Sequence, residues 1–429
     1  MLITKASIIT IGDELLIGQT IDTNSAYIAQ ELNKIGIQVH YRIAVGDIWD
    51  DIWNVLDTES LRSDLVILTG GLGPTADDIT KPLLCKYFNG EMIVNKEAEE
   101  NVINIFTNFL KNPLTERNLK QAEVPSTCTV LLNKQGTAPG MWFEKKLDAK
   151  NQPTYFISLP GVPFEMKALI KDVVIPKIKS EFETASIIHK TLLTAGIGES
   201  FLADKIKDFE ESLPPHIKLA YLPSYGMVKL RLSCYNKISN SKNEVENYFS
   251  KLKLEVAEHL IVDEDISIQE VIGRLLKAKG KTLSTAESCS GGFISHLITK
   301  IPGSSEYFLG SIVSYDNSIK ESILGVNIDT LDNYGAVSEE TVWQMAQAVR
   351  TKMHSDYSVA VSGIMGPSGG TEDKPVGTVW IAVANNKKVK THKMHFRFNR
   401  IKNIEITATY ALYFLYQFIV ENSRITLNS

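Results

Sequence analysis

Cysteine is scarce: the 429 residues hold four, at positions 85, 128, 234 and 289, and no CxxC pair. That excludes a disulfide scaffold and a zinc knuckle, and it leads us to expect a reducing, cytoplasmic setting. Basic residues are not in excess, since 45 Lys and Arg stand against 50 Asp and Glu for a net charge of −5. A surface built to coat nucleic acid is therefore not expected. Long apolar runs are missing as well. The most apolar stretch, 408–420, is interrupted by Gln417 and falls short of the roughly 20 residues that cross a bilayer, so no membrane partner is expected. The opening MLITKASIITIGDELLIG carries acids at Asp13 and Glu14 and no small-residue cleavage site, which fits a buried first strand better than a signal peptide. What is present is an ordinary globular composition, 44% hydrophobic and 22% charged. At roughly 150 residues per domain the length points to about three domains.

Strand and helix patterns alternate along the first 175 or so residues. ASIITIG reads as a strand, TNSAYIAQELNKIG as a helix, IQVHYRIAVG as a strand and DDIWNVLDTESLR as a helix. DLVILTGGLGPTADD then runs from a continuous apolar strand into a glycine-rich turn. Near-continuous apolar strands between amphipathic helices predict a parallel sheet covered on both faces. From about His189 to Val262 the pattern changes to a small α+β module with alternating strands. The remainder returns to α/β alternation and closes on a helix with Ala408, Ala411, Leu412, Leu415 and Ile419 on one stripe. The domains are expected at 1–180, 185–262 and 266–422.

Chemistry in the first domain gathers at turns that follow strands. Gly70, Gly71, Gly73, Thr75, Asp77 and Asp78 lie in one of them, where backbone N–H groups could approach an anion and a helix starting near Asp78 would point its positive end at it. Two adjacent carboxylates repel a bare phosphate, whereas a divalent cation between them reverses the sign. The bland alternative is a tight turn in which one of these acids caps the helix. The window Gly71-x-Gly73-x-x-Ala76 also fits a dinucleotide fingerprint, but it is not in the first strand–helix unit and its helix opens with two acids. Gly12-Asp13-Glu14, DTNS (22–25), GTAPG (136–140) and LPGVP (159–163) with Glu165 are expected on the same edge.

Together GDELL, DTNS, TGGLGPTADDIT, GTAPG and LPGVPFEM resemble the N-terminal half of the CinA (competence/damage-inducible) family, which is similar in fold to MoaB/MogA molybdopterin-binding domains. The resemblance covers most of the first 175 residues. It implies a three-layer α/β domain with metal-dependent ADP-ribose pyrophosphatase activity, a pterin- or nucleotide-binding module without turnover being the alternative. Carried over by motif, Gly12, Asp13, Asn24, Gly70, Gly71, Gly73 and Thr75 would bind the nucleotide, and Asp77 and Asp78 a divalent metal ion.

The last domain offers AESCSGG (286–292), PGSSEYF (302–308), VSYDNSIKESILGV (313–326), GAVSEE (335–340), SGIMGPSGGTEDKPVGTV (362–379) and FRFNR (396–400). These motifs supply serines at glycine-bordered turns, a tyrosine and a lysine five positions apart, a late arginine and no histidine. That inventory suits a serine nucleophile with a lysine base, provided that burial or a neighbouring cation lowers the lysine pKa. Ser305, opening a short helix after Pro302-Gly303, would have backbone N–H groups nearby to stabilise an oxyanion. The competing reading makes Ser304 or Ser305 an N-cap, Lys320 a surface lysine and Tyr315 a core residue. Cys289 is the rival nucleophile, in a turn whose helix would lower its pKa. LLKAKGKT (275–282) nearly matches a phosphate loop but has Leu275 in place of the first glycine and precedes a strand, so it reads as a helix ending at Gly280.

This part resembles the CinA C-terminal domain, the nicotinamide-nucleotide amidohydrolase family, over about Gln269 to Gln417. The resemblance implies an α/β amidohydrolase fold and cofactor-free hydrolysis of nicotinamide mononucleotide to nicotinate mononucleotide and ammonia. By motif, Ser305 would be the nucleophile, Lys320 its base and Tyr315 an assistant in proton transfer. Ser288, Ser362, Gly366, Gly369, Gly370 and Arg400 would contact substrate, with Arg400 suited to a phosphate by its bidentate geometry. Ser290 and Ser362 stand where threonine is found in the family, and Met365 where alanine is usual; none removes a chemical group. A homodimer is also implied. The non-enzymatic alternative for the whole chain is a protein linked to DNA uptake, which the acidic balance argues against as a direct DNA contact.

Overall fold

The computed structural model describes residues 2–3, 5–75, 78–111, 113–184, 187–235 and 241–425. They form two compact units, residues 1–188 with 234–241, and residues 189–233 with 242–429.

The first unit is built on a six-stranded sheet. In chain order its strands are β1 (Lys5–Ile11), β2 (Gln38–Val45), β3 (Leu65–Thr69), β4 (Thr129–Leu131), β5 (Gly140–Lys145) and β6 (Thr154–Leu159), arranged β2-β1-β3-β6-β5-β4. β1 is an interior strand, parallel to both β2 and β3, as the apolar opening of the sequence predicts. Alternation along it divides the core. Ile8 and Ile67 pack with Ile28 and Leu32 of α1 (Asn24–Lys34) on one face. Ile9 and Leu68 face the other side with Ile52 and Leu56 of α2 (Trp49–Arg62) and Leu83 and Leu84 of α3 (Thr80–Tyr87). Each such fully buried aliphatic side chain contributes about 1.5–3 kcal/mol. α4 (Pro163–Leu169) returns to the first face through Met166 and Leu169.

Two expectations need correcting here. The sheet is mixed rather than wholly parallel, because β5 runs antiparallel to β6 and β4 antiparallel to β5. The link from β5 to β6 is short enough for a hairpin but not for the dozen or more residues of a parallel crossover. The helix expected near Asp78 starts instead at Thr80.

The second unit carries two sheets. A four-stranded one orders β8 (Ile217–Ser224), β9 (Met227–Cys234), β7 (Ile188–Ala195) and β10 (Leu260–Val262), with α5 (Ser241–Glu255) alongside in sequence. Val228, Leu230 and Leu232 of β9 are buried while Lys229 and Arg231 between them are only partly covered, the alternation of a half-exposed strand. A five-stranded sheet follows, in the order β12 (Phe308–Val313), β11 (Leu283–Glu287), β13 (Tyr357–Gly363), β14 (Thr378–Ala384) and β15 (Val389–His395). The first three are mutually parallel and the last two antiparallel. α6 (Ile268–Ala278), α7 (Phe293–Thr299) and α9 (Arg400–Ile425) cover one face through Ile272, Ile298, Leu412 and Leu415. α8 (Glu339–Lys352) covers the other with Val342, Met345 and Val349. The predicted stripe Ala408, Ala411, Leu412, Leu415 and Ile419 is wholly buried. Leu193, Ala195 and Met227 of the four-stranded sheet join this same core. Tyr225 donates to Glu405 across 2.6 Å, and a Cβ on Gly226 would lie 2.6 Å from the Tyr410 ring. No helix among the described residues is long and apolar enough to cross a membrane.

Candidate functional sites

The carboxyl ends of β11, β12 and β13 open onto a cavity of about 180 Å³. This is where parallel α/β sheets present their ligands. Ser288, Cys289, Tyr315, Lys320, Ser362 and Arg400 line it. Ser288 is the first residue beyond β11. It is 8% exposed, and its N–H donates to Val361 O at 3.1 Å. Lys320 is 1% exposed. Its Nζ donates to Ser314 O at 2.9 Å and to Tyr315 O at 3.1 Å. Burial lowers the Lys320 pKa from the ordinary 10.5, with Asp316 acting in the opposite direction. A neutral amine has two N–H bonds and one lone pair. In its neutral form Lys320 could give both N–H bonds to the two carbonyls and keep the lone pair to accept a proton.

Arg400 is the first residue of α9, and its guanidinium donates to Gly366 O and to the Tyr315 hydroxyl, each at 2.8 Å. Tyr315 is 62% exposed, so the pair forms the outer wall. Ser362 donates to Ala336 O at 2.6 Å and keeps its lone pairs for a ligand. Gly366 is buried under this wall, Gly369 and Gly370 lie on the exposed part of the 362–379 loop, and the cavity lining includes none of the three.

Ser305 is not among these residues. It sits exposed in a short 3₁₀ turn, Ser304–Glu306, before β12, while Tyr315 and Lys320 follow that strand. Phe308 pairs with Leu283 at the start of β11 and Val313 with Glu287 at its end. Six residues at about 3.3 Å per residue therefore put about 20 Å between Ser305 and the cavity. The expected Ser305–Lys320 pair does not form; the serines that share the cavity with Lys320 are Ser288 and Ser362, and the Ser362 hydroxyl is engaged with Ala336 O. Cys289 also departs from expectation. Burial outweighs any effect of the adjacent helix and pushes its thiol up to about 12, which leaves it protonated and a poor nucleophile at neutral pH.

In the first unit a cavity of about 120 Å³ lies at the carboxyl edge of β1 and β3, lined by Thr10, Glu14, Asp22, Asn24, Thr69 and Gly70 among others. Asn24 Nδ2 donates to Gly161 O at 2.7 Å and to Thr69 Oγ1 at 3.3 Å. The Asn24 Oδ1 is buried with no partner. The turns following the strands thus converge, LPGVP through Gly161 and GTAPG through Asn133, which donates to Ala138 O and to Glu165. Burial raises the Glu165 pKa, and the Asn133 hydrogen bond works against it. Gly70 has φ 118°, and a Cβ there would fall 2.2 Å from Ile11 O, so this position admits glycine alone. Gly71, at φ 64°, likewise lies over Thr80.

The acids of this edge are arranged differently from expectation. Asp77 lies outside the described residues. Asp78 accepts from Gly73 N and Thr75 N, each at 2.9 Å, and from the Thr75 hydroxyl. The carboxylate thus caps its own loop, and Gly73 and Thr75 turn their donors to it instead of to the cavity. Asp13 and Asp47 exchange backbone-to-carboxylate hydrogen bonds of 3.2 Å, and Gly12 N donates to Val45 O at 3.0 Å. Burial, with Asp13, Glu14 and Asp78 nearby, raises the Asp47 pKa. Among the described residues no three His, Cys, Asp or Glu side chains form a metal-holding group. Lys81, which the motifs did not single out, is buried in α3 with Nζ donating to Gln121 O at 2.7 Å, and burial brings its pKa down to about 8.

Comparison with known proteins matches three successive segments of the chain. A family model described as a probable molybdopterin binding domain matches residues 7–180. A damage-inducible protein CinA KH domain matches 189–261, and a CinA C-terminal domain matches 265–419. A CinA-like protein of Flavobacterium psychrophilum is 46% identical over 97% of this chain and 99% of its own length. A CinA-like protein of Cytophaga hutchinsonii is 46% identical over 94% of this chain and 95% of its own. A putative competence-damage inducible protein of Halothermothrix orenii is 40% identical over 96% and 98%. With a MoaB-like α/β domain at one end and the CinA C-terminal domain at the other, the chain belongs to the CinA-like family.

Proposed function

We propose that the cavity at the carboxyl ends of β11, β12 and β13 hydrolyses the carboxamide of nicotinamide mononucleotide, giving nicotinate mononucleotide and ammonia. The observation that carries this reading is the buried Lys320, whose Nζ donates to Ser314 O and Tyr315 O in the cavity that Ser288 also lines. Ser288 Oγ attacks the amide carbon as its proton passes to the Lys320 lone pair. The tetrahedral intermediate collapses, the C–N bond breaks, and the leaving nitrogen takes the proton from Lys320 to depart as ammonia. Water then attacks the ester on Ser288 with Lys320 again as base, and the acid is released with the serine restored. General base catalysis of this kind contributes typically about 10²–10⁴-fold. Arg400, held by Gly366 O and the Tyr315 hydroxyl at the cavity wall, would bind the phosphate of the substrate. Ser362 and Tyr315 supply the remaining polar contacts.

For the first domain we propose nucleotide binding at the Asn24–Thr69–Gly70 cavity, with ADP-ribose as the ligand class the family resemblance suggests. The unpartnered Asn24 Oδ1 supports a ligand that brings a donor. No chemical step is assigned to this domain.

The test is ammonia release from nicotinamide mononucleotide by the purified full-length chain. Ser288→Ala and Lys320→Ala each abolish release, whereas Ser305→Ala leaves it within two-fold of the starting protein. Loss of activity in the Ser305 variant alone would overturn the assignment.

A further inference from the structure

Glu287, the last residue of β11, is 0% exposed. Its carboxylate does not face the cavity but crosses the 288–292 loop. Oε2 accepts from the Ser290 hydroxyl at 2.7 Å and from Ile294 N at 2.9 Å. Oε1 accepts from Ser295 N at 2.8 Å, from the Ser295 hydroxyl, and from the Thr285 hydroxyl at 3.4 Å. The Glu287 carbonyl accepts from Ser314 N at 2.8 Å, and the Ser314 carbonyl in turn holds Lys320 Nζ at 2.9 Å. One residue therefore closes the nucleophile loop onto the first turn of α7 and ties the start of that loop to the strand end that orients the base.

We infer that Glu287 is a positioning residue for Ser288, setting its hydroxyl against Lys320 through the 288–292 loop and through Ser314. The inference rests on reading Ser288 as the nucleophile and Lys320 as its base. Every group that points at the carboxylate is an N–H or O–H donor, so both oxygens must accept. Glutamine has the right shape but one accepting oxygen, and its NH₂ would oppose donors on the other side. The loop must then shift, and a displacement of about 1 Å at a reacting group costs on the order of 10²-fold in rate.

The experiment compares the wild-type chain with Glu287→Gln in two assays. The first measures kcat, KM and binding stoichiometry for nicotinamide mononucleotide. The second measures the rate at which a small sulfonyl fluoride labels Ser288, located by peptide mass, which needs no assumption about the substrate. We expect kcat and the labelling rate to fall together by about 10–100-fold, with KM within two-fold and stoichiometry still near one. Wild-type rates in both assays would overturn the inference, as would a loss of kcat matched by an equal loss of binding stoichiometry, which marks a merely structural role. If the wild type releases no ammonia but Glu287→Gln still slows labelling, the substrate reading fails and the positioning role stands. If wild-type Ser288 is not labelled at all, both fail. Should Glu287→Gln not fold, Ser295→Ala removes a single donor. A kcat lowered about two- to five-fold at constant KM then supports the role, and an unchanged kcat refutes it.

Discussion

Replacing Lys320 with methionine tests the buried base by a route independent of substrate. The substitution keeps an unbranched chain of similar volume in a site where the lysine is 1% exposed. Two effects oppose each other at neutral pH. Ser314 O and Tyr315 O lose their donors, at about 1 kcal/mol each, while the penalty for burying an ammonium disappears. The pH dependence separates them. Burial holds the folded-state pKa of Lys320 below the ordinary 10.5. Below the folded value the lysine is protonated in both states, and the wild type carries its full penalty. Between the folded value and 10.5 the unfolded chain still binds the proton that the folded chain has released. In that window the stability of the wild type relative to Lys320→Met rises with pH, by up to about 1.4 kcal/mol per pH unit. Urea denaturation of both proteins at steps of half a pH unit reads this difference. kcat/KM for ammonia release rises with pH across the same folded-state pKa, because only the neutral amine accepts the Ser288 proton. A stability difference that stays flat or falls with rising pH would refute the argument, whatever the activity of the variant.

Cys289→Ala is expected to keep most of the ammonia release. At pH 7.5 a thiol pushed up to about 12 is thiolate in on the order of one molecule in ten thousand or fewer, so iodoacetamide should leave Cys289 of the native wild type unmodified. Rapid alkylation with loss of activity would return the cysteine to the mechanism. Asp78→Ala removes the acceptor of Gly73 N and Thr75 N and should cost about 1–2 kcal/mol in urea unfolding, with binding of magnesium measured by calorimetry unchanged. Retained stability with weakened magnesium binding would contradict the capping role.

The parts of this fold that the sequence disclosed are those where local pattern and global burial agree. The run Leu65–Leu68 reads as a strand buried on both faces because every residue is apolar, and all four are fully buried. The stripe on α9 is legible for the same reason. The direction of β5 was not, since parallel and antiparallel strands share one period and only the short link to β6 separates them. At the site, Lys320, Tyr315 and Arg400 were visible as chemistry, but that Ser288 rather than Ser305 shares their cavity was not. Ser288 and Ser305 both sit in glycine-bordered turns, and the order of turn and strand tells them apart. Ser288 follows its strand onto the ligand edge, whereas Ser305 precedes the next one at the far edge. Asp78 shows a similar limit, because a motif gives the residue but not that the Gly73 and Thr75 N–H groups claim its oxygens. Glu287 gave no sign in the sequence beyond its place before Ser288. Its role comes from donors that α7 brings back to it.

α9 begins with the arginine that walls the cavity and continues past Glu405 and Tyr410, where the four-stranded sheet rests on it. Separating the chain between residues 262 and 266 would uncover Tyr410, which meets Gly226, and Tyr413, which meets Gly196. A fragment that lives without its neighbour must therefore tolerate a wet aromatic flank on the rod that aims its guanidinium. The helix that carries Arg400 is thus also the one on which the small sheet rests.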